Sequence, residues 1–205
     1  PADMHLLLRL GRERDAVGVA DACPQQRADA DPRQPGPRRE QQHDAQQGQQ
    51  NAHPHRSKGC VLVHNGIIEN YQELRAKLQS DGYIFVSETD TEVIPHLIDF
   101  NLKTENSFQK AFEKTIEELD GAYAIAALHG SEPDSLYVAR LSSPLVIGVG
   151  NGEHFLASDA TAVMDRTKKV IYLDDYEVAH ITPTEIKIHN IKHAVQVQRE
   201  AELLD

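Results

Sequence analysis

Few side chains in this sequence can attack a carbonyl, hold a metal or move a proton. Three histidines, His53, His55 and His64, stand close together in the chain. A three-histidine metal site is one reading, but no carboxylate ligand is evident beside them. They read instead as structural histidines, hydrogen-bonded next to strands. There are two cysteines. Cys60 lies inside the apolar run Cys60–Val63 and reads as a buried, inert strand residue. Cys23 lies in a polar stretch with no ordered base nearby. Two cysteines make no disulfide framework, and neither has partners at zinc-site spacing. Asn65-Gly66 alone is a strand-ending turn signal. Asp90 alone is a helix N-cap residue.

The elements that must position these residues follow from periodicity. Lys58–Val63 reads as a buried strand. Ile68, Tyr71, Leu74 and Leu78 recur at helical spacing, and Gly82 stands where a C-cap belongs. Tyr83–Val86 is a strand candidate. Thr89-Asp90-Thr91-Glu92 has capping-box spacing, with Val93, Ile94, Leu97 and Ile98 as the apolar face behind it. Pro95 falls in the first turns of that helix. Ser107 caps a third helix with Phe108, Phe112, Ile116 and Leu119 inward. From Gly121 on, the period becomes extended. Ala122–Leu128, Ser135–Leu141, Leu145–Val149, Phe155–Ala157, Val170–Leu173, Glu177–Ile181 and Glu185–His189 read as strands separated by turn clusters. Thr161–Arg166 reads as a helical turn. Helices followed by a long antiparallel run predict an α+β fold, with sheets covered by helices.

Composition divides the chain near residue 51. After Leu10 the next leucine is Leu62, and every Phe and Tyr lies at or beyond Tyr71. Residues 1–50 are an atypical polar segment ending in the Gln-rich run Gln41–Gln50. Such a stretch cannot bury enough apolar surface to offset the entropy of ordering it, so residues 11–50 are expected to be disordered. Its 7 basic and 8 acidic residues are nearly balanced. The remaining 14 and 24 place the acidity of the chain, net −11, in the part expected to fold. An acidic chain lacks the basic surface that nucleic acid requires. No run approaches the ~20 apolar residues of a membrane span. The chain reads as cytoplasmic, acting on a small molecule.

Four segments carry a resemblance that periodicity does not supply. They are Asn51-Ala52-His53-Pro54-His55, Val63-His64-Asn65-Gly66-Ile67-Ile68-Glu69-Asn70, Ser87-Glu88-Thr89-Asp90-Thr91-Glu92-Val93 and Ser143-Pro144-Leu145-Val146-Ile147-Gly148. Phe155-Leu156-Ala157-Ser158-Asp159 supports the same match. In this order, residues 51–205 resemble the glutaminase domains of the glucosamine-6-phosphate synthase family, which are class II glutamine amidotransferases. Amidophosphoribosyltransferase and asparagine synthetase share the fold but resemble this spelling less. The resemblance implies an N-terminal-nucleophile hydrolase fold, antiparallel sheets sandwiched between helical layers. It also implies hydrolysis of L-glutamine to glutamate and ammonia, which a second, isomerase domain transfers to fructose 6-phosphate. No cofactor and no metal are implied; a homodimer is an expectation. Asn65 and Gly66 match the family's oxyanion hole. An Asn side chain and a backbone N–H unobstructed by a Cβ can stabilise a tetrahedral oxyanion. Asp90 matches the aspartate that receives the α-amino group of glutamine.

Departures from the family pattern bear on activity. The family's first residue is a nucleophilic cysteine, whereas this chain begins Pro1-Ala2-Asp3. The family's Arg-Gly-Tyr-Asp-Ser and His-Thr-Arg-Trp-Ala-Thr-His-Gly stretches have no counterpart ahead of Asn51, and the chain holds no Trp. Residues 1–50 are expected to come from another reading frame or a fusion. The fold is then expected to be incomplete and the chain inactive alone, keeping its fold and domain contacts. The isomerase domain is expected to be absent, since the sequence ends at Asp205. Loss of central strands exposes edges and apolar faces. Marginal stability and aggregation are therefore expected; a cooperative thermal transition in a soluble monomer would contradict this.

Overall fold

The computed structural model describes residues 6–11, 20–21 and 54–204. His53 and Cys23 lie outside the described residues. So does most of the stretch expected to be disordered, of which Gly11, Ala20 and Asp21 stand in strands. The elements run β1 (Leu6–Gly11), β2 (Ala20–Asp21), β3 (His55–Ser57), β4 (Cys60–Ile68), α1 (Tyr71–Ser80), α2 (Val93–Asn101), α3 (Phe108–Glu118), β5 (Gly121–His129), β6 (Leu136–Leu141), β7 (Val146–Val149), β8 (Glu153–Ala157), β9 (Lys169–Tyr172), β10 (Glu177–Thr182), β11 (Glu185–Asn190), β12 (Val195–Val197) and β13 (Glu202–Leu203). Short 3-10 turns occupy Asp90–Glu92 and Ala160–Ala162.

Two sheets result. One has seven strands in the order β12-β11-β10-β6-β5-β4-β3, the other six in the order β13-β9-β7-β8-β1-β2. Every ladder between named strands is antiparallel. Alternation along each strand sends side chains to two separate cores. On one face, Cys60, Leu62, Ile68, Tyr123, Ile125 and Tyr137 pack under the helices. On the other, Val63, Ala124, Ala126 and Val138 meet Leu145, Ile147, Leu156 and Ile171 of the second sheet. Side chains as fully buried as Leu62, Phe112 and Ile125 stabilise by about 1.5–3 kcal/mol each.

The helices obey their sequence signals. In α3 the Ser107 hydroxyl accepts from the Lys110 N–H at 3.3 Å, and Phe108, Phe112 and Ile116 face inward. Leu74 and Leu78 bury one stripe of α1. All three helices pack on the seven-stranded sheet. Against the outer face of the other sheet, Val163, Ala162 and Leu204 pack on Val146, Phe155 and Val170. The α+β arrangement of helices on antiparallel sheets matches the sequence reading.

Four local expectations are corrected. Asn65-Gly66 is no turn: β4 runs through it to Ile68, pairing Asn65 with Ala124 and Gly66 with Tyr123. Ile68, read as the start of a helical stripe, ends that strand instead. Lys58 and Gly59, placed in a strand, form the turn between β3 and β4, with Lys58 at φ 44°. Tyr83–Val86 pairs with no strand among the described residues. The Val86 and Ser87 N–H groups donate instead to the Glu92 carboxylate, at 2.8 and 2.7 Å.

The reason β4 can pass through Asn-Gly lies in a pair of glycines. Gly66 and Gly121 both adopt φ 132°. A Cβ on Gly66 would stand 2.0 Å from the Ala122 carbonyl oxygen, and one on Gly121 would stand 2.1 Å from the Ile67 oxygen. The two backbones close on each other only because both side chains are missing. Gly121→Ala is therefore expected to destabilise the fold by about 3 kcal/mol, through strain and overpacking together. The shift of the urea midpoint measures it; an unchanged midpoint would refute the constraint.

Candidate functional site

Strand β4 presents its two faces to different chemistry. Val63, Asn65 and Ile67 point toward the second sheet; Val63 is buried, but Asn65 and Ile67 are exposed, because the sandwich opens there. Asn65 thus stands at the mouth of a small, partly open cleft between the two sheets. Val63, Ala124 and Ala126 line its floor, and Pro144, Leu145, Leu156, Ala157 and Ser158 its far side. The cleft brings together residues of three of the motif segments: Asn65, Pro144-Leu145 and Ala157-Ser158. An amide side chain at the mouth of an apolar cleft can donate to an oxygen bound there.

Gly66 follows Asn65 in the strand, and its lack of a Cβ is used by the packing against Ala122. Asp90 does not line the cleft. It opens the 3-10 turn Asp90–Glu92, half-buried, and its Oδ2 accepts from the Ile68 N–H at 2.7 Å. The N-cap of this turn is Thr89, so the expected capping by Asp90 gives way to a bond with β4. That tie puts Asp90 beside the end of the strand carrying Asn65, roughly 10 Å further along at the strand rise. Its other oxygen accepts from the Thr91 hydroxyl at a long 3.5 Å.

The opposite face of β4 fixes this turn. His64 Nδ1 lies 2.9 Å from the Thr91 hydroxyl. Asp90 and Thr91 therefore grip β4 on either side of Gly66. His55 is buried on β3, opposite Leu62. No group of His, Cys, Asp and Glu among the described residues forms a metal cluster. Cys60 sits under the helices, away from the cleft; burial and the Asp99 carboxylate push its thiol up to about 12. It is the buried strand residue expected of it.

Two residues support the turn in ways the sequence reading did not assign. Glu92 is buried, and besides the two backbone donors it accepts from the Ser87 hydroxyl at 2.6 Å. The capping-box spacing flagged Glu92, but the carboxylate reaches back to residues 86–87 rather than to its own helix start. His96, one turn later, lies 3.6 Å from Glu92 and 3.0 Å from the Ser57 hydroxyl. Its ring packs on Tyr83 and Phe85. Nothing in the apolar pattern of α2 singles it out.

The family profile described as "glutamine amidotransferase domain" matches residues 37–165, beginning ahead of the motif segments. A glutamine–fructose-6-phosphate aminotransferase (isomerizing) of Vibrio parahaemolyticus is 47% identical over 150 residues, covering 73% of this chain and 24% of that protein. The protein of the same name from Escherichia coli K12 is 46% identical over the same shares. The chain thus spans about a quarter of the length of these relatives. Among solved structures, the glutamine phosphoribosylpyrophosphate amidotransferase of B. subtilis, complexed with ADP and GMP, aligns at TM-score 0.59 and 26% identity. It covers 69% of this chain and 32% of that one. A class-II glutamine aminotransferase domain protein from Silicibacter pomeroyi, at TM-score 0.50 and 18% identity, shares the fold over 69% of this chain and 70% of that one. Among the described residues no helix is long and apolar enough to cross a membrane.

The buried titrating groups of the fold give its stability a pH signature. Burial holds His55, His96, His154 and His180 below their ordinary 6.5. Burial pushes the Glu92 carboxyl up, but its bonds from Ser87 and Val86 outweigh this and leave it below its ordinary 4.5. Glu113 is likewise pushed up by burial, but hydrogen bonds from His189, Lys110 and Gln109 bring it down to about 2. As pH falls below 6.5 the unfolded chain takes up protons that the folded histidines resist, so stability drops. Below 4.5 the depressed carboxyls add a second loss, completed for Glu113 near 2. Urea midpoints followed downward from neutral pH are expected to fall in these two stages. A midpoint level down to 4.5 would refute the histidine part.

Proposed function

We propose, for a chain that belongs to the glutamine amidotransferase domain family, that its β4 cleft receives L-glutamine. Asn65 and the Gly66 N–H face the amide carbon, and Asp90 takes the α-ammonium group. The observation that carries this reading is the placement of Asn65 and Asp90 along one strand. Glutamine carries its ammonium several bonds from its amide, so the groups that hold its two ends must stand apart. The Oδ1 of Asp90 supplies a charge-assisted acceptor for the ammonium, and the Asn65 amide supplies a donor for the oxyanion.

The relatives suggest the wider role. Their name fits transfer of ammonia from glutamine to fructose 6-phosphate on a separate acceptor domain; our reading adds a cytoplasmic location and a homodimer. Hydrolysis needs a nucleophile at the amide carbon, and among the described residues no thiol lines the cleft. The reading is therefore glutamine recognition without turnover by this chain alone.

Calorimetric titration with L-glutamine tests recognition. Asp90→Asn keeps an oxygen for the Ile68 N–H but removes the charge, and is expected to weaken binding roughly tenfold. Equal affinity would remove Asp90 from the site. Release of glutamate, measured beside Asn65→Ala, is expected to stay at the blank. Release that disappears in Asn65→Ala would mean that Pro1 or Cys23 supplies the nucleophile.

A further inference from the structure

The far side of the cleft is held by a network that the glutamine reading does not use. Pro144 and Leu145 line the cleft opposite Asn65. The two residues before them are fixed from behind. The Ser142 N–H donates to Asp175 Oδ1 at 2.7 Å. The Arg140 Nε–H donates to the Ser143 carbonyl at 2.8 Å, and Nη1 donates to the Leu173 carbonyl at 2.8 Å. Asp175 lies 3.2 Å from Arg140 Nη1, and the Tyr176 N–H donates back to the Arg140 carbonyl at 3.0 Å. Ser142 and Tyr176 both occupy left-handed backbone, at φ 61° and 66°. For residues with a Cβ that conformation costs free energy, and it persists only where neighbours over-determine it. Here the neighbours are Arg140 and Asp175. The ion pair between them adds little, because Asp175 is half in solvent; their bonds to backbone carry the effect. Ser143, as the residue before a proline, is confined to extended conformations. Once Ser142 is pinned, little freedom remains before Pro144 enters the cleft wall.

We propose that Asp175 and Arg140 are positioning residues that set the width of the Asn65 cleft through the Ser142–Pro144 turn. The proposal deepens the glutamine reading and rests on it. Neither residue touches the cleft floor; Asp175 acts through the Ser142 N–H and Arg140 through the Ser143 carbonyl. A slack turn would let Pro144 and Leu145 retreat, leaving a ligand at Asn65 without its opposing wall. The strain at Ser142 is the cost of holding that wall forward.

The test uses the isotope-labelled chain and L-glutamine, followed by nuclear magnetic resonance. Asp175→Ala is expected to bind glutamine roughly tenfold more weakly. Asp175→Asn, which still offers an oxygen to the Ser142 N–H, is expected to restore affinity. A folded Asp175→Ala variant with undiminished affinity overturns the proposal. If that variant does not fold, Asp175→Glu decides, since its carboxylate stands one methylene further out. Roughly threefold weaker binding is expected of it, and unchanged affinity overturns the proposal. If the unsubstituted chain binds no glutamine, the functional reading fails separately. The positioning proposal is then judged on the Asn65 side-chain amide and Leu145 methyl resonances. They are expected to move in Asp175→Glu, and resonances that stay in place overturn it.

Discussion

The close approach of two backbones at Gly66 and Gly121 is the constraint on which the rest depends. The β4–β5 ladder runs nine positions, from Cys60 opposite His129 to Ile68 opposite Gly121. A side chain at either glycine would break that ladder near its end. With it intact, β4 crosses the whole sheet and emerges at the open end of the sandwich. There Asn65 reaches the cleft and the Ile68 N–H meets Asp90. The glycine that the proposed oxyanion site calls for beside Asn65 is also the glycine that the sheet requires.

Around this strand, the bonds that matter are those to backbone groups rather than pairs of surface charges. Glu92 satisfies two N–H groups of a segment that has no ladder, and burial makes each of those bonds count. Arg140 and Asp175 hold three backbone groups behind the cleft wall. By contrast, Lys187 and Glu185 are both more than half exposed, and such a pair contributes little. The site region thus takes its shape from irregular segments tied down by single buried or half-buried side chains.

Much of this was legible beforehand, and the reasons differ by element. The helices could be read because an apolar stripe at three and four needs only local information, as with Phe108, Phe112 and Ile116. The strands from β5 to β11 could be read because turn clusters separate them. The strand through Asn65-Gly66 could not, since a local turn signal was overridden by the partner strand, and pairing is a non-local fact. The same holds for Tyr83–Val86, whose β propensity found no neighbour. Asn65, Gly66 and Asp90 were singled out by resemblance, not by pattern. His96, Arg140 and Asp175 gave no signal, because their roles arise from segments far apart in the chain.

Cys60 lies on the helix-covered face of β4, its thiol held unreactive by burial and by Asp99. An alkylating reagent can reach that sulfur only while the helices are lifted from the sheet. The thiol is therefore a stopwatch set in the floor of the helical layer. Its labelling rate under native conditions counts how often the layer beneath the Asp90 turn comes apart. The strand that carries the candidate chemistry on one face carries, on the other, a reporter of its own opening.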